Sequence, residues 1–199
     1  MEPTEEVAGA LAGDGWWASR ALFPQEMAVA LAEDARRLAA DGRFRPARVG
    51  RGDGRHVRDD VRRDLILWLD RLAPSPPQAL YWARIEELRR ALNRLLFLGL
   101  EEFEGHLAVF PPGGFYRRHL DRFSDADERS ISVVLFLNPG WRAADGGALR
   151  LHLAQGSRDV PPELGTAVVF RSDLVWHEVL PASAPRFSAT GWFRRRPVG

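Results

Sequence analysis

Apolar residues recur at helical spacing twice in the first half of the chain and at strand spacing through the second half. Met27, Leu31, Ala35 and Leu38 follow Pro24, a residue suited to the first helical position, and Asp41-Gly42 stops the run, which predicts an amphipathic helix. Pro74 to Pro77 break the chain before a second stripe of Tyr81, Ile85, Leu88, Leu92, Leu95 and Leu96, ended by Gly99. Stripes of this width need a surface to cover, and a sheet supplies one. Short apolar runs near 103–110, 115–121, 131–137, 148–153, 166–170, 174–180 and 187–194 are separated by Gly, Pro, Asn or Asp. Seven or eight such strands predict a jelly-roll barrel. Arg62, Asp64, Ile66 and Trp68 alternate as one face of an additional strand. Residues 1 to about 14 show no apolar periodicity and are expected to form a mobile lead. Residues 15–199 are read as one domain, with 15–100 supplying helices and a loop and 101–199 the barrel core.

Composition narrows the picture. The chain has 199 residues, a net charge of +1, 28 basic side chains that are all Arg, and no Cys. A balanced charge gives no global field toward nucleic acid or a membrane. No run approaches the ~18 consecutive apolar residues of a membrane span, and Met-Glu-Pro-Thr-Glu-Glu is acidic where a signal peptide is basic. The expectation is a cytoplasmic protein. Without Cys there is neither disulfide nor thiolate, so any metal is held by His and carboxylate. An Arg-only usage with abundant Ala, Gly and Pro also warns against assigning each Arg a role: Arg194-Arg195-Arg196 reads as a solvated tail. Likewise Arg51-Gly52-Asp53-Gly54-Arg55, in the charged segment 43–63, reads as a flexible loop.

The candidate chemistry sits between Phe115 and Phe193. His119 and Asp121 lie two apart in an extended segment, where alternate side chains share a face. His177 lies beyond several short strands and reaches the first two only if the sheet folds back on itself. Two His and one carboxylate hold Fe(II) on one side and leave the other positions open. The remaining His residues are weaker: His56 falls in the loop, His106 begins a strand with no partner at metal spacing, and His152 sits on an outer strand. Asp125, Asp127 and Glu128 read as a solvated acidic turn. Nine residues past His177 comes Arg186, whose guanidinium suits a carboxylate. Ser188, Thr190 and Trp192 follow it at strand alternation.

Tyr116-x-x-His119-x-Asp121, the strand Ser132 to Asn138, Gly146-Gly147-x-Leu149-Arg150, His177-Glu178-Val179 and Arg186 through Trp192 together resemble the 2-oxoglutarate and Fe(II)-dependent oxygenases, most closely the prolyl hydroxylase branch. The resemblance covers about half the chain densely. It implies a mainly β fold with supporting α-helices, a double-stranded β-helix of jelly-roll or cupin type whose N-terminal helices pack on the major sheet. It implies Fe(II) on His119, Asp121 and His177, and 2-oxoglutarate with its C5 carboxylate on Arg186, aided by Ser188 and Thr190. Dioxygen is the other cosubstrate, succinate and carbon dioxide are released, and ascorbate is an expected accessory. Tyr116 and Trp192 are expected to line the substrate side, with Leu149 on the barrel wall. The strand from Arg62 to Trp68 is expected to fold over the mouth and hold a peptide, with Asp64 paired to Arg129. Phe110 and Phe136 stand where that branch tends to place tyrosine hydroxyls. The implied function is hydroxylation of a prolyl residue of a protein. A hydroxylase of a free amino acid or small metabolite, and a barrel that binds metal or ligand without turnover, remain open alternatives, as does the oligomeric state.

Overall fold

The computed structural model describes residues 2–48, 56–122 and 129–195. The centre of the 43–63 loop, the acidic turn at Asp125, Asp127 and Glu128, and Arg196 lie outside the described residues. The elements run α1 (Pro3–Gly13), β1 (Trp16–Ser19), α2 (Gln25–Ala40), β2 (Arg45–Pro46), β3 (Leu65–Trp68) and α3 (Pro76–Leu96). There follow β4 (Leu100–Phe110), β5 (Tyr116–His119), β6 (Arg129–Phe136), β7 (Leu149–Leu153), β8 (Gly156–Val160), β9 (Ala167–Arg171), β10 (Trp176–Val179) and β11 (Arg186–Arg195).

The strands form a seven-stranded sheet in the order β1-β9-β6-β11-β4-β3-β2 and a four-stranded sheet in the order β5-β10-β7-β8. Every described pairing within them is antiparallel. Two apolar clusters follow from strand alternation. One, built from Leu107, Val133, Leu135, Val169, Ala189 and Phe193, lies under the helices, where it meets Leu31, Tyr81, Leu88 and Leu92. The other, built from Ala108, Phe110, Val134, Phe136, Leu149, Leu151, Val168, Phe170 and Val179, lies between the two sheets. That is the double-stranded β-helix, with the helices on the outer face of the major sheet.

Three expectations need correction. The first fourteen residues are not a loose lead: Pro3–Gly13 is a helix opened by a reciprocal Glu2/Glu5 capping box, and Val7, Ala8 and Leu11 are buried in the helix-side core. With only three inward positions its periodicity was too sparse to read. Pro24 is the N-cap of α2 rather than its first turn. The strand over the mouth is shorter than its alternation suggested. Leu65–Trp68 pairs with β4, whereas Arg62 makes an isolated bridge to Tyr116. Trp68 is accordingly 49% exposed and not a core residue. Three strands, β1, β2 and β8, were missed, since none is longer than five residues and β2 and β8 are almost entirely exposed.

Candidate active site

His119 ends β5 and faces His177 of β10 directly across the minor sheet, and Asp121 follows two residues past the strand end. One ligand atom from each of the three lies within 4.8 Å of the others. His119 Nε2 is 3.5 Å from Asp121 Oδ1, and His177 Nε2 is 3.6 Å from Asp121 Oδ2. All three side chains are buried to within a tenth of their surface.

The protonation pattern follows from the other ring nitrogens. His119 Nδ1 sits 2.7 Å from the Arg117 carbonyl and His177 Nδ1 sits 3.1 Å from the Val175 carbonyl. A carbonyl only accepts, so each Nδ1 carries the proton, and in the neutral ring each Nε2 presents a lone pair toward Asp121. Burial pushes His177 down to about 4, which keeps it neutral near pH 7. Burial opposes ionisation of Asp121, but the imidazoles of His177 and His119 and a hydrogen bond from Ser132 outweigh it and hold the carboxyl well below the usual range. With both rings neutral, two lone pairs and a carboxylate converge on one point. That donor set fits a divalent cation, and the ligand types suit Fe(II). Ser132 Oγ donates to Asp121 Oδ2 at 2.7 Å, and Ser172 Oγ stands 2.8 Å behind it. These two buried serines orient the carboxylate, and strand alternation alone gave no sign of them.

Arg186 opens β11 opposite Phe110 and is 1% exposed. Its Nε donates to the Gly147 carbonyl at 2.8 Å, and its guanidinium carbon lies 5.2 Å from the Phe110 ring and 5.0 Å from that of Phe136. Burial pushes its pKa down to about 9. No carboxylate among the described residues forms an ion pair with it. A buried, unpaired cation between two phenyl rings is a site for an anionic guest. The glycine pair beneath it is required: Gly147 has φ +70°, and a Cβ there would stand 2.8 Å from Ala182 Cβ and 3.3 Å from Arg186 Cδ. Ser188 and Thr190 continue along the same face, 3.3 Å apart, and Leu149 is buried in the wall between the sheets.

Tyr116 stacks on His119 with ring centres 3.6 Å apart, and the Arg62 guanidinium covers the Tyr116 ring at 4.2 Å. The backbone of 61–63 pairs with β5: Arg63 N–H donates to Phe115 O, and Arg117 N–H to Val61 O. Residues 61–68 therefore join the minor sheet at β5 to the major sheet at β4, closing the seam beside the three ligands. Arg62 holds Asp64 in a bidentate pair at 2.7 and 2.6 Å, with Asp64 fully buried. Burial opposes the Arg62 charge, but the Asp64 carboxylate more than restores it and raises the guanidinium above its ordinary value.

The expected pairing of Asp64 with Arg129 is therefore wrong, because Arg62, two residues away on the same strand face, takes the carboxylate first. Arg129 instead pairs with Glu104 at 2.7 Å and lies 3.8 Å over the Trp192 ring. His106, set aside on sequence grounds as lacking a metal partner, is not a ligand but belongs to this wall. It stands between Trp68, at 5.0 Å, and Trp192, at 5.4 Å.

The family model for the 2OG-Fe(II) oxygenase superfamily matches residues 105–194. The crystal structure of a Pseudomonas putida prolyl-4-hydroxylase superposes with a TM-score of 0.89 at 46% sequence identity, covering 97% of this chain and 99% of that one. Human Egl nine homolog 1 is 31% identical over 144 residues, which is 67% of this chain and 33% of that protein. A Caenorhabditis elegans hypoxia-inducible factor prolyl hydroxylase is 29% identical over 175 residues, 81% of this chain and 24% of that protein. The chain thus spans a third or less of the length of these two curated relatives.

Proposed function

Because the chain belongs to the 2OG-Fe(II) oxygenase superfamily, we propose that it hydroxylates a prolyl residue within a protein segment. Fe(II), 2-oxoglutarate and dioxygen together supply the oxidising power that hydroxylates an unactivated C–H bond, with succinate and carbon dioxide released. The chain's own residues bind, orient and exclude water. His119, Asp121 and His177 hold the metal on one side, with Ser132 and Ser172 fixing the carboxylate. Arg186 takes the C5 carboxylate of 2-oxoglutarate, with Ser188 and Thr190 as hydroxyl neighbours, while Phe110 and Phe136 keep the guanidinium dry so that a charge-assisted bond counts for more. Leu149 supports the wall behind. Tyr116, held between His119 and Arg62, borders the substrate side with Trp192.

The prolyl assignment is supported by the names of the relatives above, which are prolyl hydroxylases. The observation that carries the peptide over a small metabolite is the 61–68 segment. It borders the ligand site, presents a half-exposed Trp68, and belongs to a polar stretch able to lie against an extended backbone. Ascorbate, on this reading, serves to keep the iron ferrous. The test is succinate formation from 2-oxoglutarate with Fe(II), with and without ascorbate, first alone, then with prolyl peptides, then with cell lysate. A protein whose prolyl residue gains one oxygen by mass spectrometry, in step with succinate, is the expected result. Stimulation by a free amino acid or metabolite but by no peptide or protein would replace this reading with the small-molecule one.

A further inference from the structure

The metal and Arg186 sites leave two buried polar atoms near them unused. His106 Nδ1 and Trp192 Nε1 are both buried and neither has a hydrogen-bond partner among the described residues. An orphaned buried donor or acceptor is costly, so a pair of them on one wall calls for a guest. Both residues belong to the barrel-facing side of neighbouring strands. His106 lies opposite Thr190 and Trp68 in the ladder, and Trp192 lies opposite Ser132 on one side and Glu104 on the other. Ser132 is the residue that donates to Asp121, so this wall adjoins the metal ligands. The other two orphans, Tyr81 Oη and Trp82 Nε1, sit on α3 against the opposite face of the sheet, among Phe23 and Phe103. Those are enclosed by apolar rings, whereas His106 and Trp192 have Trp68, Arg129 and Glu104 beside them.

This wall is rich in donors, and its carboxylate, Glu104, is already engaged by Arg129. Trp192 Nε1 can only donate. Arg62 and Arg129 only donate, and their carboxylates are already engaged. A neutral His106 has one N–H and one lone pair, and with the proton on Nδ1 the orphaned atom is a donor as well. A prolyl residue has no amide N–H, and the carbonyls of its own and the preceding residue are pure acceptors. Donor-rich wall and acceptor-rich segment are complementary. The geometry points to His106, with Trp192, as a specificity-determining pair that donates to a backbone carbonyl of the substrate beside the target prolyl residue; this rests on the prolyl reading above.

The test uses capped alanine-rich peptides with one central prolyl residue and matched thioamides, in which the carbonyl oxygen of the prolyl or preceding residue is sulfur, a weaker acceptor. Binding is measured on the protein loaded with 2-oxoglutarate and Mn(II) in place of iron. One of the two thioamides is expected to bind about fivefold to tenfold more weakly than its parent, the loss of one hydrogen bond. In His106→Phe, parent and thioamide are expected to bind alike, both weakened, with affinity for 2-oxoglutarate within about twofold of the parent protein. Trp192→Phe repeats the cycle should His106→Phe fold poorly. Long-range nitrogen NMR of the unmutated protein, loaded with Zn(II) to avoid paramagnetic broadening, supplies a readout that a structural role would not move: the His106 Nδ1 resonance should shift when peptide is added. A thioamide effect undiminished in both variants, or a His106 signal indifferent to a peptide that binds, would overturn the assignment and leave prolyl hydroxylation standing. If an alanyl peptide is bound and turned over as well as the prolyl one, the prolyl reading fails and this inference fails with it.

Discussion

Replacing Arg186 with Met should move stability and ligand affinity in opposite directions. The guanidinium is 1% exposed, and burial lowers its pKa far below the ordinary guanidinium value, to about 9. A tenfold change in proton affinity is worth about 1.4 kcal/mol, so charge burial here costs the ligand-free protein on the order of 5 kcal/mol. Met keeps much of the volume and removes the charge, but gives up the hydrogen bond to the Gly147 carbonyl, which returns about 1 kcal/mol of that gain. Urea unfolding of metal-free, ligand-free protein should show Arg186→Met more stable by about 3–4 kcal/mol. Calorimetric titration of the Mn(II)-loaded protein should show 2-oxoglutarate bound tens to hundreds of fold more weakly, the ~2–4 kcal/mol expected of a lost charge-assisted bidentate contact. Mn(II) affinity should hardly change. A variant that is destabilised, or that loses metal and 2-oxoglutarate affinity together, would show that Arg186 supports the barrel and that its buried charge is not held in wait for an anion.

Other perturbations separate the remaining roles. Asp121→Ala should weaken metal binding by roughly a hundredfold or more while circular dichroism still reports a folded barrel; retained tight binding with succinate release would refute the ligand set. Phe136→Tyr sets a hydroxyl near the Arg186 guanidinium, and should tighten 2-oxoglutarate about fivefold, the ~1 kcal/mol of one hydrogen bond, with unchanged affinity showing that the ring points away from the guest. Arg62→Ala strands a fully buried Asp64 carboxylate and should cost about 3–5 kcal/mol in urea, most of it recovered in Arg62→Ala/Asp64→Ala; equal loss in both would mean the pair is not the source. For pH, burial first and then the Arg62 and Arg129 charges lower His106 from 6.5 to about 3. The unfolded chain therefore takes up this proton while the folded one does not, and stability falls as pH drops from 6.5 toward 3. Between pH 7 and 5 that residue should account for about 2 kcal/mol of lost stability, and urea titrations of metal-free His106→Phe should lack that increment.

The sequence by itself determined a good deal. Apolar alternation between 103 and 194 and the two helical stripes were enough for a jelly-roll barrel with helices against it, since burial on one face of a strand or helix is written in its period, and the family resemblance made it a double-stranded β-helix. His-x-Asp, a distal His and Arg186 were legible because metal and anion chemistry demands particular residue types at particular intervals. What it did not determine was which side chains meet across strands. Alternation set Arg62 on the same face as Asp64, but that this pair closes while Arg129 goes to Glu104 lies in how residues 61–68 bridge β5 and β4. Ser132 and Ser172 are ordinary serines until β6 and β9 set them side by side behind Asp121. His106 read as an unpartnered strand histidine, and it takes on meaning only once β3, β4 and β11 place it between Trp68 and Trp192. Contacts between residues far apart in the chain depend on strand register and sheet closure, which are properties of the whole fold, so the tertiary structure alone decided them.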